Sequence, residues 1–327
     1  MENNHGFTKN SICPVCGQKS NFNFLRSYSD KIAGQEYRLY ECCECQAWFW
    51  QPLKNPGAEW YEKDERYASR NADPNLKPIW NYKKIIGFLK PFAGSVLDIG
   101  CGTGDFLFYA EKNGWEANGI DFDREAVKTA KEIFKLNKVE AVELKEYYEK
   151  NKEKEFDLIT FFDVFEHLDD HFEFIGLVKK LLKTGGYIAM AMPYRKRADW
   201  LMTADVPPRH LTRWDRASIK KFLLRNGFEI SYIARRSEGL NPILMKLRFR
   251  YGRLFSFNLV GKYKDKKRKE GERIFPGDQA QITAKRLQLL ARIKDWLIFG
   301  LPALIIWLFM IPSAKRYLNL YVVARKI

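Results

Sequence analysis

Between residues 79 and 235 the apolar positions alternate between two periods. Ile79, Tyr82, Ile85, Ile86 and Leu89 recur every three or four residues, which predicts an amphipathic helix over residues 79–92. The short apolar run Ser95–Ile99 predicts a buried strand, and Phe106–Asn113 an amphipathic helix that Gly114 stops. Trp115–Asp121 follows as a second strand. Asp123 stands where a helix needs its N-cap, and Val127, Ala130, Ile133 and Phe134 form that helix's expected buried stripe. Val139–Leu144 is expected as a third strand. Phe156–Asp163 is nearly continuous in apolar residues, as a central parallel strand buried on both faces should be. A helix Phe172–Leu182 ending at Gly185-Gly186, a strand Tyr187–Met192 and a loop from Pro193 to Trp214 come next. A helix Asp215–Arg225 with Gly227 as its stop leads to the strands Phe228–Ala234 and, at the far end, Leu320–Arg325. Strands alternating with helices predict an α/β, doubly wound sheet.

Two segments stand outside this alternation. Residues 1–55 carry Cys13-Pro-Val-Cys16-Gly17 and Cys42-Cys43-Glu44-Cys45, with Glu36–Glu41 and Ala47–Gln51 expected as hairpin strands around the second pair. Residues 236–317 separate the last two strands, where a short turn would suffice. They contain Arg248, Arg250 and Arg253, the run Lys262–Lys269, a helical stretch Leu287–Ile298, and the apolar run Trp296–Pro312.

Charge sharpens the picture of that insertion. Of 56 Lys and Arg, 19 lie from residue 240 onward, against 5 of the 40 Asp and Glu. The segment therefore carries +14 of the formal +16, and the rest of the chain is almost neutral. Leu287, Leu290, Ile293 and Leu297 share a helical face, with Lys285, Arg286, Arg292 and Lys294 mostly on others. At 17 residues with Gly300 and Pro302 inside, Trp296–Pro312 is short for a straight membrane crossing. A single crossing would also place the last strand across the bilayer from its sheet. The expectation is a segment that dips in or lies in the interface of an anionic membrane, with a hydrophobic lid or a dimer contact as the alternative.

The chemistry concentrates at Val96-Leu-Asp98-Ile-Gly100-Cys101-Gly102-Thr-Gly104, a strand, glycine turn and helix in succession. That geometry brings backbone N–H groups close to a nucleotide-like ligand. Asp121 closes the next strand 23 residues after Asp98, near the spacing expected of an acid that takes ribose hydroxyls. The dinucleotide fingerprint needs its third glycine one position later. Val96–Gly104 resembles motif I of the class I S-adenosylmethionine-dependent methyltransferases, and the resemblance runs from about Tyr67 to Arg235 and resumes at Leu318–Lys326.

That resemblance implies a seven-stranded Rossmann-like sheet in the order 3-2-1-4-5-7-6, with the seventh strand antiparallel. It implies S-adenosyl-L-methionine as cofactor, bound by backbone around Gly100, Cys101, Gly102 and Gly104. Asp98 would take the amino group, Asp121 the ribose hydroxyls, and Phe122 and Glu143 the adenine. Phe162 and Asp163 would lie near the methyl group. Asp163-Val-Phe-Glu166-His167-Leu168 resembles the Glu-His-Leu signature of methyltransferases of quinone precursors and cell-surface sugars. A hydroxyl acceptor needs a base, for which His167, His210 and Asp163 are the candidates. His5 and His171 complete the four histidines.

The Cys pairs fit a structural Zn2+ ribbon ligated by Cys13, Cys16, Cys42 and Cys45, with Cys43 as a fifth thiol nearby. A ribbon joined to such a methyltransferase also resembles bacterial methyltransferases of small molecules and sugars, in which it helps cover the substrate. The layout expected is residues 1–55 as the ribbon, 56–78 as a linker with Trp60, Tyr61 and Tyr67 over the cofactor, 79–235 plus 318–327 as the catalytic domain, and 236–317 as the insertion. The polar start of the chain and the few cysteines suit a reducing cytosol. The expected function is methyl transfer to a small-molecule, glycan or lipid-linked acceptor at the inner membrane face. RNA methylation and cofactor binding without transfer are the alternatives. Nucleic acid is disfavoured because the basic residues are interleaved with a long apolar run.

Overall fold

The computed structural model describes residues 11–31, 34–62, 79–198, 205–237, 239–252 and 278–327. Tyr67, Arg253, Lys262–Lys269 and His5 lie outside them. Strands β1 (Ser11–Ile12) and β2 (Lys19–Ser20) pair across the first cysteine turn. Strands β3 (Phe22–Asp30), β4 (Gln35–Cys42) and β5 (Trp48–Gln51) form an antiparallel meander in which Leu39, Phe49 and Trp50 are buried. A short helix α1 (Ala58–Glu62) follows.

Helix α2 (Trp80–Leu89) buries Ile85, Ile86 and Leu89, while Ile79 lies outside it and is exposed. The alternating core then runs through β6 (Ser95–Ile99), α3 (Asp105–Glu111), β7 (Glu116–Asp121), α4 (Arg124–Ile133), β8 (Val139–Ala141), α5 (Leu144–Lys150), β9 (Phe156–Phe162), α6 (His171–Leu181) and β10 (Leu182–Pro193). Strand β11 (Thr212–Arg213), helix α7 (Arg216–Arg225) and strand β12 (Phe228–Arg236) complete the first half of the chain's return. Helices α8 (Asn241–Tyr251) and α9 (Asp278–Met310) and strand β13 (Asn319–Lys326) close it.

Seven strands make one sheet in the order β8-β7-β6-β9-β10-β13-β12, with β13 antiparallel to both neighbours. This is the order 3-2-1-4-5-7-6, as expected. Helices cover both faces. Ile85, Phe106, Leu107 and Val127 pack on one side, and Phe165, Trp214 and Phe222 stack with ring centroids 5.1–5.5 Å apart on the other. Each such side chain contributes roughly 1.5–3 kcal/mol by leaving water.

Several expectations need correction. Ile133 is half exposed; it lies about 120° around the helix from Val127 and in its last turn. The third strand stops at Ala141, and Leu144 begins a helix with Glu143 at its cap position, so Glu143 is not on a strand. Helix α6 ends at Leu181 rather than at the glycines. Leu182 already pairs with Phe156, and Gly185-Gly186 form a shift in register inside β10. A Cβ on Gly186 would meet the Asp157 carbonyl oxygen at 3.1 Å, so the glycine serves close backbone approach and not termination. β3, α5 and β11 were not expected.

β11 is the consequential addition. The loop after β10 sends Thr212 and Arg213 to pair with Phe49 and Trp48, so the catalytic chain supplies the fourth strand of the cysteine-bearing sheet. Arg195 reaches Glu41 at 3.4 Å and Asp215 at 2.5 Å, lies over the Trp48 ring, and donates to the Gln46 carbonyl oxygen. Met1–Arg197, Thr203–Arg236 and Leu318–Ile327 accordingly form one compact unit.

Ala198–Met202 with Ser237–Tyr317 form a second unit, in which α8 packs against α9. The apolar run Trp296–Pro312 is helical over most of its length, as part of the 33-residue α9, which continues through Pro302. No described helix is long and apolar enough to cross a membrane. One side of α9 buries Phe299 and Ala303; Trp296, Leu297, Leu301, Ile305, Leu308 and Phe309 are exposed, Leu297 by 78% and Phe309 by 81%. Phe249 of α8 is 87% exposed.

Candidate active site and cysteine centre

The glycine turn between β6 and α3 is built for close approach. Gly100, Gly102 and Gly104 all have positive φ. A Cβ on Gly100 would meet Val164 at 2.5 Å and one on Gly104 would meet Leu136 at 2.5 Å, whereas one on Gly102 would meet nothing within 4 Å. The loop is therefore packed behind and open in front. Gly100 N and Cys101 N both donate to the Ile120 carbonyl oxygen. Gly102 N donates to Asp121 Oδ2 at 2.7 Å, and Asp123 N to its Oδ1 at 2.9 Å. Asp121 is thus fixed at the end of β7, each oxygen keeping acceptor capacity for a ligand hydroxyl. Burial pushes its carboxyl up to about 6.

Asp98 is buried within β6. Its Oδ1 accepts from the Thr160 hydroxyl at 2.6 Å, and burial pushes its carboxyl up to about 8. Thr160 was missed because one hydroxyl in the apolar run of β9 carries no periodic signal. Asp163, at the carboxyl end of β9, has φ 56 and an exposed side chain; the strand end turns sharply there. Phe162 packs against Tyr82, Phe106 and Tyr321. Phe122 meets Tyr61, their ring centroids 5.2 Å apart, and the buried Tyr61 continues to His167. Trp60 and Tyr61 do sit at this end of the sheet.

Three expected or adjacent groups converge. Glu166, His167 and His210 bring donor atoms within 4.8 Å of one another, with the two imidazoles in edge-to-face contact at 4.8 Å. His167 Nδ1 lies 2.6 Å from the Arg209 carbonyl oxygen, which can only accept, so Nδ1 carries the hydrogen; the Tyr61 hydroxyl is 3.2 Å away. His210 Nδ1 lies 2.7 Å from Asp205 Oδ1. Both Nε2 atoms are left as the basic nitrogens. Glu166 is buried, neither carboxylate oxygen has a hydrogen-bond partner among the described residues, and burial holds its carboxyl well above the usual range. His171 is apart from this group. It is buried among Phe165, Trp214 and Phe222, donates to the Phe165 carbonyl oxygen, and is pushed down to about 4 by burial.

The four Sγ atoms of Cys13, Cys16, Cys42 and Cys45 are buried and lie within 4.8 Å of one another, Cys16 to Cys42 at 3.9 Å. A tetrahedral ion with bonds of about 2.3 Å separates its sulfurs by roughly 3.8 Å, so the cluster fits zinc. Val15 N and Cys16 N point at Cys13 Sγ, and Cys45 N at Cys42 Sγ, which neutralises part of a thiolate's charge. The thiols interact strongly. Hydrogen bonds from neighbouring cysteines hold Cys42 far below the usual thiol range, and hydrogen bonds with Cys16 and Cys42 push both Cys13 and Cys45 up. Gly17 and Gln46 occupy equivalent left-handed positions after the two turns. Cys43 is exposed and outside the cluster.

The family model of the methyltransferase domain matches residues 61–233, more than half of the chain. The chain belongs to this methyltransferase family. It is an S-adenosylmethionine-dependent methyltransferase. Among curated proteins, it is 27% identical over 173 residues to a ubiquinone biosynthesis O-methyltransferase of Idiomarina loihiensis, covering 49% of this chain and 70% of that protein. A ubiquinone biosynthesis O-methyltransferase of Escherichia coli O9:H4 is 26% identical over 175 residues, covering 49% and 72%. Among solved structures, a SAM-dependent methyltransferase of Archaeoglobus fulgidus is 19% identical, covers 80% of this chain and 94% of its own, and aligns with a TM-score of 0.47.

Proposed function

We propose that this methyltransferase acts on a hydroxyl of a small-molecule or lipid-linked acceptor, at an anionic membrane surface. The observation that carries the acceptor class is the His167–His210 pair. Each ring has its Nδ1 occupied by an acceptor, and so offers Nε2 as a base near the carboxyl ends of β9 and β10, where ligands of open α/β sheets bind. The similar curated proteins are O-methyltransferases, which agrees with a hydroxyl acceptor.

S-Adenosylmethionine supplies an electrophilic methyl group on sulfonium sulfur and is consumed, so it is a substrate of the reaction. In this reading the glycine turn holds its methionine and ribose portions by backbone, and Asp121 takes the ribose hydroxyls. Asp98 takes the amino group, which favours the ionised carboxylate that burial alone disfavours. Tyr61 and Phe122 flank the base. Phe162 and Asp163 border the methyl end, and His167 or His210 takes the acceptor's proton.

Zinc held by Cys13, Cys16, Cys42 and Cys45 would be structural, since four protein ligands leave no open position. It would hold the sheet that β11 joins to the catalytic chain. All six cysteines are free, which suits a reducing compartment such as the cytoplasm. The membrane reading rests on the exposed apolar side chains of α8 and α9 in a segment with most of the positive charge.

The test uses S-adenosylmethionine labelled in its methyl group and a membrane extract. Wild type should form a labelled ether, and His210→Gln should lose at least ~100-fold of the rate while still binding S-adenosylhomocysteine. Label appearing on nitrogen or carbon, or in RNA, contradicts the hydroxyl reading.

A further inference from the structure

We propose that Asp205 is a positioning residue: its carboxylate fixes His210 with hydrogen on Nδ1 and makes Nε2 the base that takes the acceptor proton. This rests on the hydroxyl reading above and assigns its base. Asp205 was not singled out by any pattern in the sequence. It opens the tight turn that ends at His210, whose N–H donates to the Val206 carbonyl oxygen.

The carboxylate is buried and fully engaged. Its Oδ1 accepts from His210 Nδ1 at 2.7 Å, and its Oδ2 accepts from Arg197 Nε at 2.8 Å, with Arg197 Nη2 at 2.7 Å and Arg213 Nη2 at 3.4 Å. Burial alone would raise this carboxyl. The hydrogen bond from His210 and the charges of Arg197 and Arg213 outweigh it and hold Asp205 well below the usual carboxylate range. It is therefore ionised whenever His210 is called on to gain a proton. A carboxylate only accepts, so the bond dictates the imidazole tautomer and stabilises the imidazolium that forms.

The groups facing the histidines distinguish the two rings. His167 is backed by the neutral Arg209 carbonyl oxygen and the Tyr61 hydroxyl; Glu166 lies 4.0 Å from its Nε2, and burial raises that carboxyl well above the usual range. His210 alone of the two has an ionised acceptor behind it, and the edge-to-face contact with His167 keeps its ring in place. In the step itself the acceptor oxygen bonds to the methyl carbon as the carbon–sulfur bond breaks. That electron pair stays on sulfur, and the hydroxyl proton passes to Nε2 of His210, which later yields it to water.

The experiment reads the imidazole nitrogens of the full-length protein by 1H–15N NMR at a pH where the rings are neutral. His210→Gln identifies the His210 signal among four histidines. Wild type should show neutral His210 with hydrogen on Nδ1 and none on Nε2. Asp205→Asn, whose amide can donate to Nδ1, should move the hydrogen to Nε2. Arg197→Gln, which removes a different partner of the same carboxylate, should keep the tautomer. The buried His171 signal reports whether each variant is folded. Hydrogen on Nε2 in wild type, or a tautomer that Asp205→Asn leaves in place, overturns the proposal. Methyl transfer to catechol is followed in parallel. Ether formation slowed at least ~100-fold by Asp205→Asn, together with the changed tautomer, supports both readings. Transfer only to nitrogen or carbon acceptors overturns the hydroxyl reading, and the tautomer result then stands apart from it.

Discussion

Asp98 and Thr160 show how a single buried pair sets a pH dependence. Burial keeps the Asp98 proton on up to about pH 8 in the fold, whereas the unfolded carboxyl ionises near 3.8. Between about pH 4 and pH 8 the folded state binds more protons, so stability falls as pH rises through that window and levels off above it. Asp98→Asn keeps an acceptor for the Thr160 hydroxyl and removes the titration. Urea unfolding should show wild type losing ~1 kcal/mol or more relative to Asp98→Asn between pH 5 and pH 8; parallel curves would exclude the effect. Asp98 itself was legible from its place before the glycines. Thr160 and Asp205 were not, because neither periodicity nor spacing signals a partner that only the folded sheet or loop brings close. Gln46 is another such case. Gly17 announces its turn, but Gln46 holds the same left-handed conformation at a position that sequence does not mark. Gln46→Gly should raise stability by about 1 kcal/mol in thermal unfolding, since glycine adopts that conformation without a Cβ penalty.

At the scale of elements, long periodic segments were legible and short ones were not. β6, β7, β9 and α7 fall where their apolar pattern predicts them, because burial on one or both faces enforces it. β11 has two residues and exists only through its pairing with β5, so no local pattern could reveal it. The glycines of β10 misled because close backbone approach and helix termination use the same residue. Asp215 ties such elements together. Its side chain accepts from Ala217 N and Ser218 N at the start of α7, Ser218 Oγ accepts from Asp215 N, and Arg195 pairs with its other oxygen. Asp215→Ala should cost about 2–4 kcal/mol, cap and buried ion pair together, measured by denaturant unfolding. In α9, Leu297→Glu with Phe309→Glu should reduce sedimentation with anionic liposomes at least tenfold. S-Adenosylhomocysteine affinity should be unaffected, and equal sedimentation would refute the membrane reading.

Among the described residues, the stretches 193–198 and 205–214 link the cysteine-centred sheet to the methyltransferase sheet through β11 and Arg195, and the second of them also carries Asp205 and His210. Zinc removal is therefore expected to reach the active site. A chelator acting on denatured protein should prevent recovery of methyl transfer on refolding, and equimolar zinc should restore it; full recovery without metal would show that the ribbon folds without it. The most direct test of the cofactor site is calorimetric titration of S-adenosylhomocysteine into wild type and Asp121→Ala. Asp121 stands at the end of β7 with both oxygens fixed by backbone N–H groups of the turn. Binding at one site per chain, weakened by about 1–3 kcal/mol in Asp121→Ala, is the predicted result. Equal affinity in the two proteins, or none in wild type, would contradict the site described.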